Sequence, residues 1–198
     1  SHGPAIGVVV DGCPAGVALT PDVVQSALDR RAPGRNAMTS PRREPDQVVI
    51  ESGVWQGMTT GAPIAMRIRN QDAKPSAYQT ITDCHRPGHA NFTYRHKYGH
   101  MDQRGGGRAS ARETACRVMA GAVASAWLQQ QGIAVQAALV QMGPIHAKHQ
   151  DAWDMDYVYG NDVYTVEPEA MAAMVSYIEA LKAAGDSTGG VVGFRVHG

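Results

Sequence analysis

Gly105-Gly106-Gly107-Arg108-Ala109-Ser110-Ala111-Arg112-Glu113-Thr114 leads without interruption into a helical pattern that runs to about Gln131. The glycines let the backbone turn sharply and approach a ligand closely, and Ser110-x-x-Glu113 has the form of a capping box. Beyond the start, Ala111, Ala115, Val118, Ala122 and Ala126 line one narrow face, and so many alanines predict close packing against neighbouring elements. Gly132 is the stop. A helix start of this kind offers free amide N–H groups at the positive end of a dipole, and Arg108 and Arg112 add full charges, so an anion would be held there. The same residues also suit a plain turn and cap.

Reading outward, Ile6 to Val10 is a short β-branched run closed by Asp11-Gly12, a buried strand and its turn. Thr20-Pro21-Asp22 reads as an N-cap with proline in the first helical position, opening a helix that carries Val23, Val24, Ala27 and Leu28 and stops before Pro33-Gly34. Strands are predicted at Val48 to Ser52 and at Ile64 to Ile68, where Ile64, Met66 and Ile68 alternate with Ala65 and Arg67. Residues 70 to 108 show little apolar periodicity and many functional groups, the mark of a working loop. Downstream, a strand at Val135 to Gln141, a loop with tryptophan and tyrosine, a helix from Pro168 to Ala184 and a strand from Val191 to Val196 complete a mixed α and β order. No repeat, low-complexity tract or interdomain linker stands out, so 1–198 is read as one domain without an internal boundary.

With 198 residues, 43% hydrophobic composition and a net charge of zero, the chain can bury a core and has no bulk attraction to nucleic acid or acidic membranes. Lys74, Lys97, Lys148 and Lys182 are the only lysines among 18 basic residues; the other 14 are arginines. Guanidinium grips carboxylate or phosphate with two parallel hydrogen bonds, although arginine excess also arises from genomic composition. Cys13, Cys84 and Cys116 form no repeating pair, which fits a reducing cytoplasm. No apolar run is long enough for a membrane span, and no signal-peptide pattern is present. The chain starts at Ser1 without methionine and ends just after an apparent strand, and both ends read as cut.

Besides the glycine turn, two constellations could carry chemistry. His85 with His89 and His96 with His100 form two pairs at spacing four, with Cys84 adjacent, but Pro87-Gly88 breaks any helix in the first pair and Arg95 and Lys97 would repel a dication, so no metal site is expected. One or two of these histidines could instead move protons. Arg30, Arg31, Arg35, Arg42 and Arg43 either complement a helix end and coat a loop or bind an anion.

Ser1-His2-Gly3-Pro4-Ala5-Ile6-Gly7-Val8-Val9-Val10-Asp11-Gly12-Cys13-Pro14 resembles the first signature of the chorismate synthases, and GRASARETACRVMAG at Gly107 to Gly121 resembles their second. RREPDQV at 42–48, SGV with TTGAPI at 52–64, RPGHA at 86–90 and GDSTGG at 185–190 follow in family order, so the resemblance covers essentially the whole chain. It implies a β-α-β sandwich of α+β class, with long helices between antiparallel sheets, of which this chain forms the N-terminal part. It implies a cytoplasmic homotetramer that converts 5-enolpyruvylshikimate 3-phosphate to chorismate by 1,4-elimination of phosphate. Reduced FMN is required, with NADPH a possible reductant, and neither nucleic acid nor membrane is a partner.

By resemblance, Arg31, Arg86 and Arg112 surround the anionic substrate, and Arg35 stands in for a basic residue missing at Ala37. His2 lies at the leaving phosphate, His89 near the flavin ring, and Arg108, Ala109 and Ser110 contact FMN. The chain departs from the family at Ala32, at Asn91 where aspartate is common, and at Ala109 where serine is usual. Family members run on far beyond Gly198, into a third signature and more of the flavin site. The alternative reading is a non-catalytic flavin- or anion-binding fragment.

Overall fold

The computed structural model describes residues 1–198 except Pro41, Thr82, Asp83 and His149. It forms two compact units, the first made of Ser1–Pro33 and Pro41–Gln130, the second of Gly34–Ser40 and Gln131–Gly198.

The first unit contains β1 (Ala5–Val10), α1 (Pro21–Arg31), β2 (Val48–Ile50), β3 (Val54–Trp55), β4 (Met58–Thr59), β5 (Ile64–Arg69), α2 (Asn91–Tyr98) and α3 (Thr114–Gln130). Its sheet has the order β1-β5-β2, all antiparallel. The register places Ile6 opposite Ile68, Val8 opposite Met66 and Val10 opposite Ile64, so one face is continuously apolar. That face packs on Val24 and Leu28 of α1 and on Ala115, Cys116, Met119, Ala122 and Val123 of α3. Ile64, Met66 and Ile68 are buried as their alternation predicts. Leu28 and Met119 are fully buried, and burial of side chains this size stabilises by about 1.5–3 kcal/mol each.

Helix α1 starts where the sequence places it, with Thr20 extended at φ −114° and Pro21 in the first turn, but the Thr20 side chain makes no capping hydrogen bond. The helical pattern expected from Ala111 begins as a 3-10 turn at Ala111–Glu113 and becomes α-helical only at Thr114. The hairpin β3-β4 and the helix α2 were not legible as elements in the sequence. Asn91 is the buried residue of α2, which therefore has no apolar stripe to announce it.

The second unit contains β6 (Ala134–Met142), β7 (Ile145–His146), α4 (Met155–Gly160), α5 (Pro168–Ala184) and β8 (Gly190–His197). Its antiparallel sheet has the order β7-β6-β8. Ala170 and Met174 of α5 pack with Val163, against Leu139 and Met142 of β6. The six residues of α4 are started by Asp154, whose Oδ1 accepts from the amides of Asp156 and Tyr157 at 3.0 and 3.1 Å. Helix α5 has the bounds expected and ends on Gly185 at φ +67°, with the Asp186 amide returning to the Leu181 carbonyl at 2.9 Å. Among the described residues no helix is long and apolar enough to cross a membrane. Cys13, Cys84 and Cys116 are free thiols.

Candidate active site

In the first unit, the loop before β2 carries Glu44 and Asp46 into the interior with both carboxylates fully buried. Asp46 turns the chain at φ +47°, a left-handed conformation that aspartate tolerates better than most residues. Buried carboxylates require partners. Asp46 accepts from Arg112 Nη1 at 2.5 Å and from Arg31 Nη1 at 2.8 Å, so one carboxylate fixes two of the arginines singled out in the sequence. Arg31 Nε also donates to Thr114 Oγ1 at 3.1 Å, tying the end of α1 to the start of α3. Burial pushes the Arg31 guanidinium below its ordinary range, and the neighbouring Asp46 charge works against that shift.

Glu44 accepts from Arg42 Nη2 at 2.6 Å and from the backbone amides of Gln71 and Asp72 at 2.8 and 3.2 Å. Burial alone would raise its carboxyl; the Gln71 amide, Arg42 and the Arg112 charge more than offset it, and its pKa lies below the usual value. Arg112 is almost wholly buried, and its Nε donates to Asn70 Oδ1 at 3.1 Å. Its remaining nitrogen, Nη2, is buried without a hydrogen-bond partner, 3.9 Å from Glu44 Oε2. That nitrogen is thus left with the Glu44 charge alone.

Asn70 extends the network to the first residues of the chain. Its Nδ2 donates to the carbonyls of Gly3 at 2.8 Å and Ser1 at 3.4 Å, and Arg42 Nη1 donates to the same Ser1 carbonyl at 3.3 Å. His2 is thereby held beside Tyr78, with ring centroids 4.9 Å apart. Arg86 lies 5.1 Å over the Tyr78 ring and donates through Nη2 to the Gly105 carbonyl. Burial pushes the His2 imidazole below its ordinary value, helped by Arg42.

The glycine turn differs from its expected form in one respect. The Ala109 and Ser110 amides donate to the carbonyls of Gly106 and Gly107 at 3.0 and 3.2 Å, and the Arg112 amide to Ser110 Oγ at 3.2 Å. The first two close successive 3-10 turns, the third is a side-chain cap, and none of them is free for an anion. The Ser110 amide being so engaged, Glu113 completes no reciprocal box; its carboxylate pairs with Arg108 at 3.4 Å. Arg108 instead borders a cavity of about 450 Å³ with Tyr94, Tyr98, His100, Met101, Asp102 and Gly107. A hydrogen bond from Arg104 holds the Asp102 carboxyl down to about 2.

The structure thus joins Arg31 with Arg112 on Asp46, and His2 with Arg86 around Tyr78. His89 stands on the exposed turn before α2, its Nδ1 3.1 Å from the Pro87 carbonyl, while His96 stacks on Phe92 at 5.7 Å. Arg35 belongs to the second unit, where Nη2 donates to the Tyr159 carbonyl at 2.7 Å and the guanidinium lies 4.6 Å over Tyr164. Among the described residues no group of three His, Cys, Asp or Glu side chains gathers as a metal site would require. Sequence reasoning missed Glu44, Asp46, Asn70 and Tyr78. The available signal was Glu44-Pro45-Asp46 beside two arginines, acids placed immediately before a strand that enters the core.

The sequence model of one family, described as chorismate synthase, matches residues 1–198. The chain belongs to the chorismate synthase family. It is 50% identical over 192 residues to a chorismate synthase of Granulibacter bethesdensis, covering 97% of this chain and 52% of the relative. It is 48% identical over 198 residues to that of Syntrophobacter fumaroxidans, covering all of this chain and 55% of the relative. The chain therefore spans about half the length of the curated relatives it matches. A crystal structure of a chorismate synthase superposes with a TM-score of 0.75 at 27% identity, over 99% of this chain and 55% of that one. The mixed fold, with helices and small antiparallel sheets, is as expected for a chorismate synthase. Within the first unit, the segments that carry the chorismate synthase resemblance are those that meet: His2 from the first, Glu44 and Asp46 from the RREPDQV stretch, Arg86 from RPGHA and Arg112 from the second signature.

Proposed function

We propose that these residues form the anion-binding and proton-handling part of a chorismate synthase that eliminates phosphate from 5-enolpyruvylshikimate 3-phosphate. The observation that carries this reading is the convergence, in one unit, of arginines and a histidine from separate family motifs. A substrate with one phosphate and two carboxylates needs fixed cations, and Arg31, Arg86 and Arg112 supply them from positions locked by Asp46 and the Gly105 carbonyl. In the 1,4-elimination a C–H and a C–O bond break: the C–H pair becomes a new C=C as its proton passes to a base, the C–O pair leaves with phosphate, and His2 delivers a proton to the leaving oxygen. Arg35 is assigned a supporting place in substrate binding.

The residues around the glycine turn fit a flavin: a cavity edged by Tyr94 and Tyr98 suits a flat ring, and exposed Arg108 suits a phosphate tail. Arg108, Ala109 and Ser110 are assigned to hold FMN, with His89, on the exposed turn before α2, as the proton donor toward it. When bound and reduced, FMN supplies electron density to a reaction with no net redox change. NADPH as reductant and a cytoplasmic homotetramer belong to the same reading.

A second reading, a non-catalytic flavin- or anion-binding module, is favoured by the fixed arginines and the cavity beside Arg108, which suffice for binding. A hybrid separates the two, with these 198 residues replacing the matched stretch of the Syntrophobacter fumaroxidans relative. Binding of reduced FMN and of 5-enolpyruvylshikimate 3-phosphate with turnover supports the synthase; binding of FMN without turnover supports the module.

A further inference from the structure

Antiparallel pairing sets Ala5 of β1 opposite Arg69 of β5, so the residues just outside that ladder, Gly3 and Asn70, come together. The Asn70 backbone N–H donates to the Pro4 carbonyl at 3.0 Å, which fixes the point from which its side chain reaches out. That side chain has partners on two sides. Nδ2 donates to the Gly3 carbonyl at 2.8 Å and to the Ser1 carbonyl at 3.4 Å, while Oδ1 accepts from Arg112 Nε at 3.1 Å. A carbonyl can only accept and a guanidinium N–H can only donate, so a carboxamide in one orientation satisfies both sides. A carboxylate would lack the N–H, and leucine, of similar size, lacks both groups.

The two sides belong to different parts of the site. Ser1 and Gly3 flank His2, so the carbonyls that Asn70 grips pin the chain on either side of the imidazole. Arg42 Nη1 shares the Ser1 carbonyl at 3.3 Å, and the bond from Asn70 to Gly3 is the shortest of these. On the other side, Arg112 is held through Nη1 by Asp46 and through Nε by Asn70, and two bonds to different nitrogens of a planar group fix its plane. His2 is closely fitted: its ring centroid lies 4.9 Å from that of Tyr78, and a Cβ at Gly105 would stand 2.5 Å from its Cδ2.

We propose that Asn70 is a positioning residue that bridges His2 and Arg112, setting the histidine and the arginine at a fixed distance so that both address one bound substrate. Its side chain acts through these two groups and takes no part in the bond changes itself. This rests on the assignment of His2 and Arg112 to a phosphate-eliminating site, but the bridge is measured without turnover.

Two measurements test it. In the 198-residue chain, proton NMR reads the His2 ring and the Arg112 Nε–H, each identified by its loss in His2→Gln or Arg112→Lys. Asn70→Leu should move the His2 ring signals, displaced in the parent by the Tyr78 ring, to the positions of an exposed histidine. It should also speed exchange of the Arg112 Nε–H by about tenfold or more. With the fold intact by circular dichroism, either signal left as in the parent overturns the bridge. In the hybrid enzyme, Asn70→Leu should lower kcat and raise KM, each by about tenfold. In a His2→Ala background the further kcat loss should shrink to within about twofold, because the group acted through is already gone, while the KM rise persists. A kcat loss that multiplies with that of His2→Ala marks a purely structural residue and overturns the proposal. If Asn70→Leu does not fold, Asn70→Ala, which leaves room for water, is judged by the same criteria. A hybrid inactive with Asn70 in place counts against the synthase reading, and the NMR signals then decide the bridge alone.

Discussion

Arg112 and Asp46 carry the largest single-residue consequences. Both are buried and each is the other's closest ionic partner, so removing one leaves an interior charge with only its more distant partner, Arg31 for Asp46 or Glu44 for Arg112. Arg112→Ala is expected to destabilise the first unit by about 3–5 kcal/mol, and Asp46→Ala by a similar amount, read by urea denaturation. A purely ligand-binding arginine on a surface would lose binding and keep its stability. Glu44 gives the same network a pH dependence. Its pKa is lowered in the folded state, so its contribution is complete above about pH 4.3, the unfolded value, and is lost as the pH falls through the folded one. The melting temperature of Glu44→Gln should accordingly fall below that of the parent at neutral pH, and the two should converge in acid. Arginines were conspicuous in the sequence as possible anion ligands, but the acids that hold them were not, because the pairing spans 15 residues for Arg31 and 66 for Arg112. Contacts that distant leave no periodic trace.

At the scale of elements, the clearest agreement between sequence and structure lies where the signal is local. Helix α5 begins at Pro168 and closes on Gly185, and β5 buries every second residue, since prolines, glycines and alternation act within a few positions. Gly185→Ala would place a Cβ in the left-handed region and should cost about 1 kcal/mol. Thr20 is a counter-case. Replacing an N-cap threonine by alanine typically costs about 1 kcal/mol, but the Thr20 hydroxyl makes no capping bond, so Thr20→Ala should change stability by less than about 0.5 kcal/mol. Met119→Ala, at the buried face of α3 toward the sheet, should cost about 2–5 kcal/mol. The short α2 and α4 escaped the sequence reading because neither carries a long apolar stripe: α2 buries Asn91, and α4 is six residues started by the Asp154 side chain.

For the molecule as a whole, the family is carried by ordered motifs along all 198 residues, and the proposed reaction by what those motifs bring together. The first unit gathers the arginines and His2 without help from the remaining length of the relatives. About half of each relative lies outside the matched stretch, so the assay uses a chain with both halves. The most direct measurement is chorismate formation by the Syntrophobacter fumaroxidans hybrid, assayed without oxygen in the presence of reduced FMN and 5-enolpyruvylshikimate 3-phosphate. The account expects turnover that requires reduced FMN and falls by about 100-fold or more in His2→Ala, the loss expected of a missing general acid. A hybrid that folds and assembles like its parent, binds both ligands and forms no chorismate would contradict it.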